Sequence, residues 1–250
     1  MSAYSALAAH YDKLTYDVNY EAFADLYEAL FKTSARPVHT VVDLGCGTGT
    51  LMRILTGRGY ELIGVDSSEE MLALAYEKFP ERAPLLIRQP MDKLDLYGTV
   101  DAVVSSLDGI TYVKPERIGE VFHRVNLFLN PGGWFVFDIN SPEKLKSLHG
   151  EMFLDETEGV YCVWRAHFRE SENACVYQMD IFSKAGELWA RSEEEHVEYA
   201  YDPEFLCKLL SETGFTQVRV LEDSARLRAI AGEGRFFITA RKREESFWTR

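Results

Sequence analysis

Val41-Val42-Asp43-Leu44-Gly45-Cys46-Gly47-Thr48-Gly49-Thr50 is the stretch on which the reading of this chain turns. Strand-forming Val41 and Val42 lead to an acid, and three glycines then alternate with small residues ahead of an amphipathic run, Leu51 to Arg58. Glycine reaches the backbone conformations of a tight strand-to-helix bend and lets a ligand press against the main chain. Amide N–H groups at the helix start add donors for a polar or anionic group. Any βα turn uses glycine, but three on alternate positions behind an acidic strand end point to a nucleotide-type ligand. The dinucleotide fingerprint G-x-G-x-x-G/A requires Gly or Ala where Thr50 stands. The spacing here is G-x-G-x-G, which disfavours a dinucleotide.

Outward from the bend, Val38 to Leu44 reads as the first strand and Tyr60 to Val65 as the second. Asp66 ends the second strand, where a carboxylate can accept bonds from both hydroxyls of a ribose. Ser67 has the place of an N-cap, with Glu70 completing a capping box for a helix carrying Met71, Leu72, Ala75 and Phe79. Leu85 to Arg88 and Val100 to Ser105 read as strands, and Ile118, Val121, Phe122, Val125 and Leu129 mark the next helix. Pro131-Gly132-Gly133 turns into a fifth strand, Trp134 to Asp138. Upstream, Phe23, Leu26, Tyr27, Leu30 and Phe31 form one helical face, stopped by Pro37. Alternating strands and helices predict an α/β fold around a parallel sheet covered on both faces.

The rhythm breaks after Ser141. Val160 to Phe168, Cys175 to Phe182 and Leu188 to Tyr199 alternate with period two, separated by turn-like Ser171-Glu172-Asn173 and Lys184-Ala185-Gly186. That predicts a three-stranded antiparallel meander inserted over residues 143–200. Helical signals return at Asp202 and Pro203, with Gly214 as the stop, and two strands follow, Thr216 to Leu221 and Arg235 to Arg241. No repeat or low-complexity linker divides the chain, so 1–250 reads as one domain with a helical segment over 1–36.

Composition narrows the function. The 250 residues are 46% hydrophobic and 27% charged, ordinary for a globular protein. The net charge is −13, with 40 acidic against 27 basic residues, which disfavours a nucleic-acid partner. The only basic cluster, Arg241-Lys242-Arg243, is followed at once by Glu244 and Glu245. No apolar run approaches a membrane span and no signal-peptide pattern opens the chain. Cys46, Cys162, Cys175 and Cys207 are scattered, which suits free thiols in the cytoplasm and no zinc site.

At this point the chain resembles the class I S-adenosylmethionine-dependent methyltransferases. VDLGCGTG (42–49) and GVDSSEEML (64–72) carry the resemblance. It continues through QPMDKLDL (89–96), DAVVSSLDGITYV (101–113) and LNPGGWFVFDIN (129–140). It extends to EEHVEYAYDPEFLCKLLSETGF (194–215) and FFITARK (236–242). The opening YSALAAHYDKLTYD (4–17) is similar to small-molecule members, above all bacterial methyltransferases of unassigned substrate, and also to sugar N-methyltransferases. The resemblance implies a Rossmann-like seven-stranded sheet with its last strand antiparallel, and S-adenosyl-L-methionine as cofactor. It implies that Gly45 and Gly47 pass under the methionine part, that Asp43 fixes the loop and reaches the amino group through water, and that Asp66 holds the ribose. Asp92 would meet the adenine amino group, Leu107 would line the transfer site, and Tyr11 would close over the cofactor. Cys46, Ser67, Met71 and Met91 complete the cofactor-binding set, Cys46 simply as a small residue.

Methyl transfer is an in-line displacement that rests on positioning and on exclusion of water, and needs no metal. A hydroxyl or protonated-amine acceptor gains from a general base. The candidates are Asp108, beyond the fourth strand, and His196 in the meander. Asp108 also reads as a turn acid before Gly109, and His196 as part of a solvated face with Ser192 and Glu194. The meander aromatics Trp164, Phe168, Tyr177, Phe182, Trp189 and Tyr199 predict an acceptor-pocket wall or a dimer surface, so the chain is expected as a monomer or homodimer. A small neutral or cationic acceptor is the leading expectation. A transfer-RNA methyltransferase, a NAD-dependent oxidoreductase and a non-catalytic S-adenosylmethionine sensor or scaffold are the alternatives.

Overall fold

Apolar runs buried on both sides and amphipathic stretches buried on one side sort into layers. The computed structural model describes residues 6–221, 227, 230 and 232–244. Tyr4, Ser5 and Glu245 of the stretches quoted above lie outside the described residues. The N-terminal helices are α1 (Tyr11–Leu14) and α2 (Tyr20–Phe31). The alternating part runs β1 (Thr40–Leu44), α3 (Thr50–Gly57), β2 (Glu61–Asp66), α4 (Glu69–Glu77), β3 (Leu85–Arg88), β4 (Val100–Ser105), α5 (Ile118–Phe128) and β5 (Leu129–Asn140). After α6 (Pro142–Ser147) come β6 (Met152–Thr157), β7 (Val160–Arg169), β8 (Ala174–Ala185) and β9 (Leu188–Tyr199). The chain then returns through α7 (Pro203–Glu212), β10 (Phe215–Val220) and β11 (Arg235–Lys242).

The main sheet has seven strands in the order β10-β11-β5-β4-β1-β2-β3. All run parallel except β11, which is antiparallel to both β10 and β5. Because successive side chains point to opposite faces, the same strands feed two cores. Val42, Leu44, Val103, Phe135 and Phe137 pack with α5 and α7 on one face. Val41, Ala102, Val104, Trp134 and Val136 pack with α2 and α3 on the other. This is why β1, β4 and β5 read as near-continuous apolar runs. No helix among the described residues is long and apolar enough to cross a membrane, and the four cysteines are free thiols.

Local details depart from the sequence expectations in three places. Leu129, read as the last residue of a helical stripe, opens β5, which takes in Pro131-Gly132-Gly133 and runs on to Asn140. The N-cap of α4 is Ser68, not Ser67: its Oγ accepts from the Met71 amide at 3.2 Å. The Asp66 carboxylate takes the Ser68 N–H at 2.9 Å, which holds this residue extended and delays the helix by one position. The second sheet has four strands, in the order β6-β7-β8-β9, not three. Strand β6 carries Met-Phe-Leu-Asp-Glu-Thr, which does not alternate, because it is an edge strand whose Met152, Phe153 and Leu154 are all exposed. Strand formation here comes from pairing with β7, not from a buried face.

Gly64 shows how closely α3 rides on the sheet. A Cβ built there would lie 2.7 Å from both Leu86 Cδ2 and Met52 Sδ. Gly64→Ala overpacks this contact and is expected to cost about 1–3 kcal/mol, read as a lower urea midpoint with an unchanged m-value.

Candidate cofactor and acceptor site

The site begins where β1 stops. Gly45, Gly47 and Gly49 have φ of +83°, +52° and +74°, so the bend is left-handed at every second residue. Its amides are tied to the neighbouring strand end. Gly45 and Cys46 both donate to the Val65 carbonyl, at 2.7 and 3.1 Å, and the Gly47 amide donates to Asp66 Oδ2 at 2.9 Å. A Cβ on Gly45 would fall 2.7 Å from Met91 Cε, whereas nothing lies within 4 Å of one on Gly47, which faces open space.

That open space is a cavity of about 410 Å³, within the usual range for small-molecule sites. Gly45, Gly47, Val65, Asp66, Ser67 and Met71 form its floor. Gln89 and Met91 after β3, with Gly109, Tyr112 and Lys114 after β4, form its sides. Tyr11 and the β9 residues Glu195, His196, Val197 and Tyr199 form its roof. A smaller pocket of about 40 Å³ lies behind the bend, between Tyr11, Tyr20, Asp43, Cys46, Ser106 and Leu107. Burial and the charge of Asp66 push the Asp43 carboxyl up to about 7. Burial also raises Asp66, opposed by the amide bonds from Ser68 and Gly47. Two carboxyls beside a glycine bend, neither of them ion-paired among the described residues, suit a cationic nucleoside.

Residues 6–14 bridge the two sheets across this opening. The Ala6 and Leu7 amides donate to Glu194 of β9, the latter at 3.0 Å. Leu7 and Leu14 pack with Val160, Cys162, Met179 and Ile181 of the second sheet. On the other side, Asp12 accepts from Thr48 at 2.5 Å and Thr50 at 3.3 Å, and pairs with Lys78 at 2.6 Å. Tyr11 is thereby held over Gly45 and Gly47.

The structure distributes the expected site residues unevenly. Tyr11, Gly45, Gly47, Asp66, Ser67, Met71 and Met91 meet around the large cavity, and Asp43, Cys46 and Leu107 around the small pocket. Asp92 is turned to Arg117, whose Nε and Nη2 lie 2.7 and 2.5 Å from its carboxylate. His196 lines the cavity, but not on a solvated face: its side chain and that of Glu194 are 2% and 3% exposed, with Nε2 2.9 Å from Glu194 Oε2. The N-terminal segment and Tyr112, whose ring stands edge-on to His196 with centroids 6.1 Å apart, cover that face. Of the six aromatics expected to wall the pocket, Tyr199 alone lines the cavity. Trp164 packs toward Leu7 and Leu14, Phe168 and Tyr177 pack around Leu145, Phe182 pairs with Tyr161 across β7, and Trp189 is half-exposed against Tyr161.

Asp108 lies in a buried polar node that the sequence reading missed. Leu107 and Asp108 both have φ of +54°, and their amides donate to the two oxygens of Asp138, at 2.9 and 3.0 Å. Arg235 of β11 binds Asp138 and, at 2.9 Å, Asp108. Asn140 Nδ2 donates to Asp108 and, at 3.1 Å, to Glu198 of β9. Tyr112 Oη donates to the other Glu198 oxygen at 3.4 Å. One signal was available: Asp138 and Asn140 interrupt an otherwise apolar strand end. Glu198 and Arg235 gave none, since their roles depend on strands distant in sequence.

Known proteins are similar to this chain in sequence and fold. A methyltransferase-domain family model matches residues 41–133. The Bacillus subtilis (strain 168) protein YqeM, named as a methyltransferase, is 30% identical over 243 residues, 96% of this chain and 97% of that protein. A dTDP-3-amino-3,4,6-trideoxy-alpha-D-glucopyranose N,N-dimethyltransferase of Streptomyces venezuelae is 28% identical over 121 residues, 48% of this chain and 50% of that protein. The crystal structure of an S-adenosylmethionine-dependent methyltransferase from Clostridium acetobutylicum ATCC 824 superimposes with a TM-score of 0.82 at 28% identity, covering 96% of this chain and 99% of that one. With the strand order and the glycine bend already described, these matches place the chain in the class I S-adenosylmethionine-dependent methyltransferases, with S-adenosylmethionine as its cofactor.

Proposed function

We propose that the chain transfers a methyl group to a nitrogen or oxygen atom of a small-molecule acceptor. The observation that carries this reading is the roof: Tyr11 and β9 stand over a cavity of about 410 Å³ whose floor is the glycine bend. Such a space suits a nucleoside beside a small acceptor, and the net charge of −13 disfavours a polyanionic one. The Streptomyces dimethyltransferase, by its name an enzyme of an amino sugar, supports a small acceptor.

In this reading Asp66 keeps its amide bonds and offers its remaining lone pairs to the ribose hydroxyls. Asp43 faces the cationic end through the small pocket, and Gln89 and Met91 flank the base. Asp92 serves the adenine amino group only by sharing its carboxylate with Arg117. When bound, the sulfonium centre supplies a methyl carbon open to in-line displacement without a metal. The chain's own part is to align the acceptor, through Tyr112, His196 and Tyr199, and to exclude water through the strap of residues 6–14 and the inserted segment 143–200.

Three outcomes are expected. Asp66→Ala weakens S-adenosylmethionine binding about ten- to a hundredfold, equivalent to about 1.5–3 kcal/mol; unchanged calorimetric affinity in a normally folded variant removes the ribose role. Burial and the charge of Asp66 push the Asp43 carboxyl up to about 7, and a bound cation would lower that value. Below it, binding must therefore expel a proton, so affinity rises with pH, by up to about tenfold per unit, and levels off above it. Asp43→Asn flattens this profile, measured by calorimetry across neutral pH. Finally, a panel of small amines and alcohols scored by release of S-adenosylhomocysteine should contain a turnover acceptor, whereas turnover confined to RNA overturns the reading.

A further inference from the structure

The polar node around Asp108 is out of balance. Asp108, Asp138 and Glu198 are all at least nine-tenths buried, and a single guanidinium, Arg235, is bonded to the first two. Lys144 of α6 is close enough to feel these charges, but burial and Arg235 hold its ammonium below the usual lysine range. Among the described residues it makes no ion pair. Glu198 is left with two neutral donors, Asn140 at 3.1 Å and Tyr112 at 3.4 Å. Asn140 Oδ1, on the amide that bridges Asp108 and Glu198, is buried with no hydrogen-bond partner. Buried polar atoms without partners are rare and call for an explanation.

A protonated amine is such an explanation. An ammonium group brings donors and no acceptor, which matches a carboxylate pair and an idle carbonyl oxygen. Arg235 Nε is the node's other buried atom without a partner, and as a donor it suits an oxygen on the same acceptor. The node adjoins the cofactor cavity. Gly109, next to Asp108, lines that cavity, as do Tyr112 and His196, the latter two residues before Glu198 on the same face of β9. We propose that Asp108, Asn140 and Glu198 seat the nitrogen of a protonated amine acceptor, and that Glu198 removes its proton before methylation. This rests on the methyl-transfer reading above and narrows its acceptor to an amine.

In the proton step, one N–H bond of the ammonium breaks and its electron pair stays on nitrogen as the lone pair. The proton forms an O–H bond with Glu198. Burial first, then the charge of Asp108, pushes the Glu198 carboxyl up to about 8, against the lowering effect of Asn140, Arg235 and Lys144. On the β8 side, Cys175 and Tyr177 face the same carboxyl with their own values raised by burial, so both stay neutral at neutral pH. A carboxylate tuned close to neutrality is a better base toward an amine than an ordinary one.

The test titrates the full-length chain by carboxyl ¹³C NMR, with methylammonium chloride as probe and tetramethylammonium chloride at equal ionic strength as control. The Glu198 resonance is assigned by its loss in Glu198→Gln, and by its selective shift in Tyr112→Phe should the glutamine variant not fold. The expected result is a midpoint near neutrality that methylammonium lowers by about one pH unit or more, and tetramethylammonium, which has no N–H, does not. A midpoint in the ordinary carboxylate range, no movement, or equal movement with both cations overturns the proposal. S-adenosylmethionine calorimetry on the same samples separates the two readings. Cofactor binding without a methylammonium effect sinks the amine seat alone, whereas absent cofactor binding sinks the methyl-transfer reading.

Discussion

Two hydrogen-bond acceptors at the end of β2, the Val65 carbonyl and the Asp66 carboxylate, hold the bend that follows β1. Between them they take the amides of Gly45, Cys46, Gly47 and Ser68. Buried amides must find partners, and a bend with three positive-φ residues cannot find them in a regular ladder. The constraint works in both directions. The bend stays in its left-handed form because β2 receives its N–H groups, and α4 starts at Glu69 because the same carboxylate orients its cap. Asp66 consequently sits at the cavity wall, already oriented, with lone pairs to spare.

A second carboxylate does comparable work behind β4. Leu107 and Asp108 occupy left-handed backbone without being glycine, a local strain of order 1–3 kcal/mol per residue. Asp138 offsets it by accepting both amides, and Arg235 from β11 supports Asp138. Charge-assisted bonds of this kind are the stronger ones, yet a buried ion pair contributes little net stability beyond its apolar equivalent. Its value here is positional. It aims Asp108, Asn140 and Glu198 at one another next to the cofactor cavity, and it leaves their charges incompletely matched.

The roof is attached more loosely than the floor. The contacts of Asp12 with Lys78, Thr48 and Thr50 involve a half-exposed carboxylate, and exposed ion pairs contribute roughly 0–1 kcal/mol. On the other side, Leu7 and Leu14 rest on a small apolar cluster instead of the main core. The segment is thus less firmly tied than the glycine bend, whose amides are bonded to the end of β2.

Much of the fold was legible because its rules are local. Apolar periodicity marked β3, β4 and β9 with the bounds that the structure has, and the Asp202 cap, Pro203 and Gly214 marked α7. The glycine spacing and Asp66 marked the floor of the site. Strand β6 escaped because an exposed edge strand needs no apolar face. Ser68 took over the cap of α4 because Asp66 claimed its amide. His196 and Glu194 read as solvated because alternation along β9 says nothing about what covers it. By itself, then, the sequence determined the layered sheet and its glycine bend, which follow from spacings within a few residues, and its resemblance to a known family pointed to the cofactor. Only the tertiary structure decided which carboxylates are buried, which cations reach them and which face of β9 roofs the cavity. Charge balance and burial depend on groups that β5, β9 and β11 bring together from up to 127 residues apart.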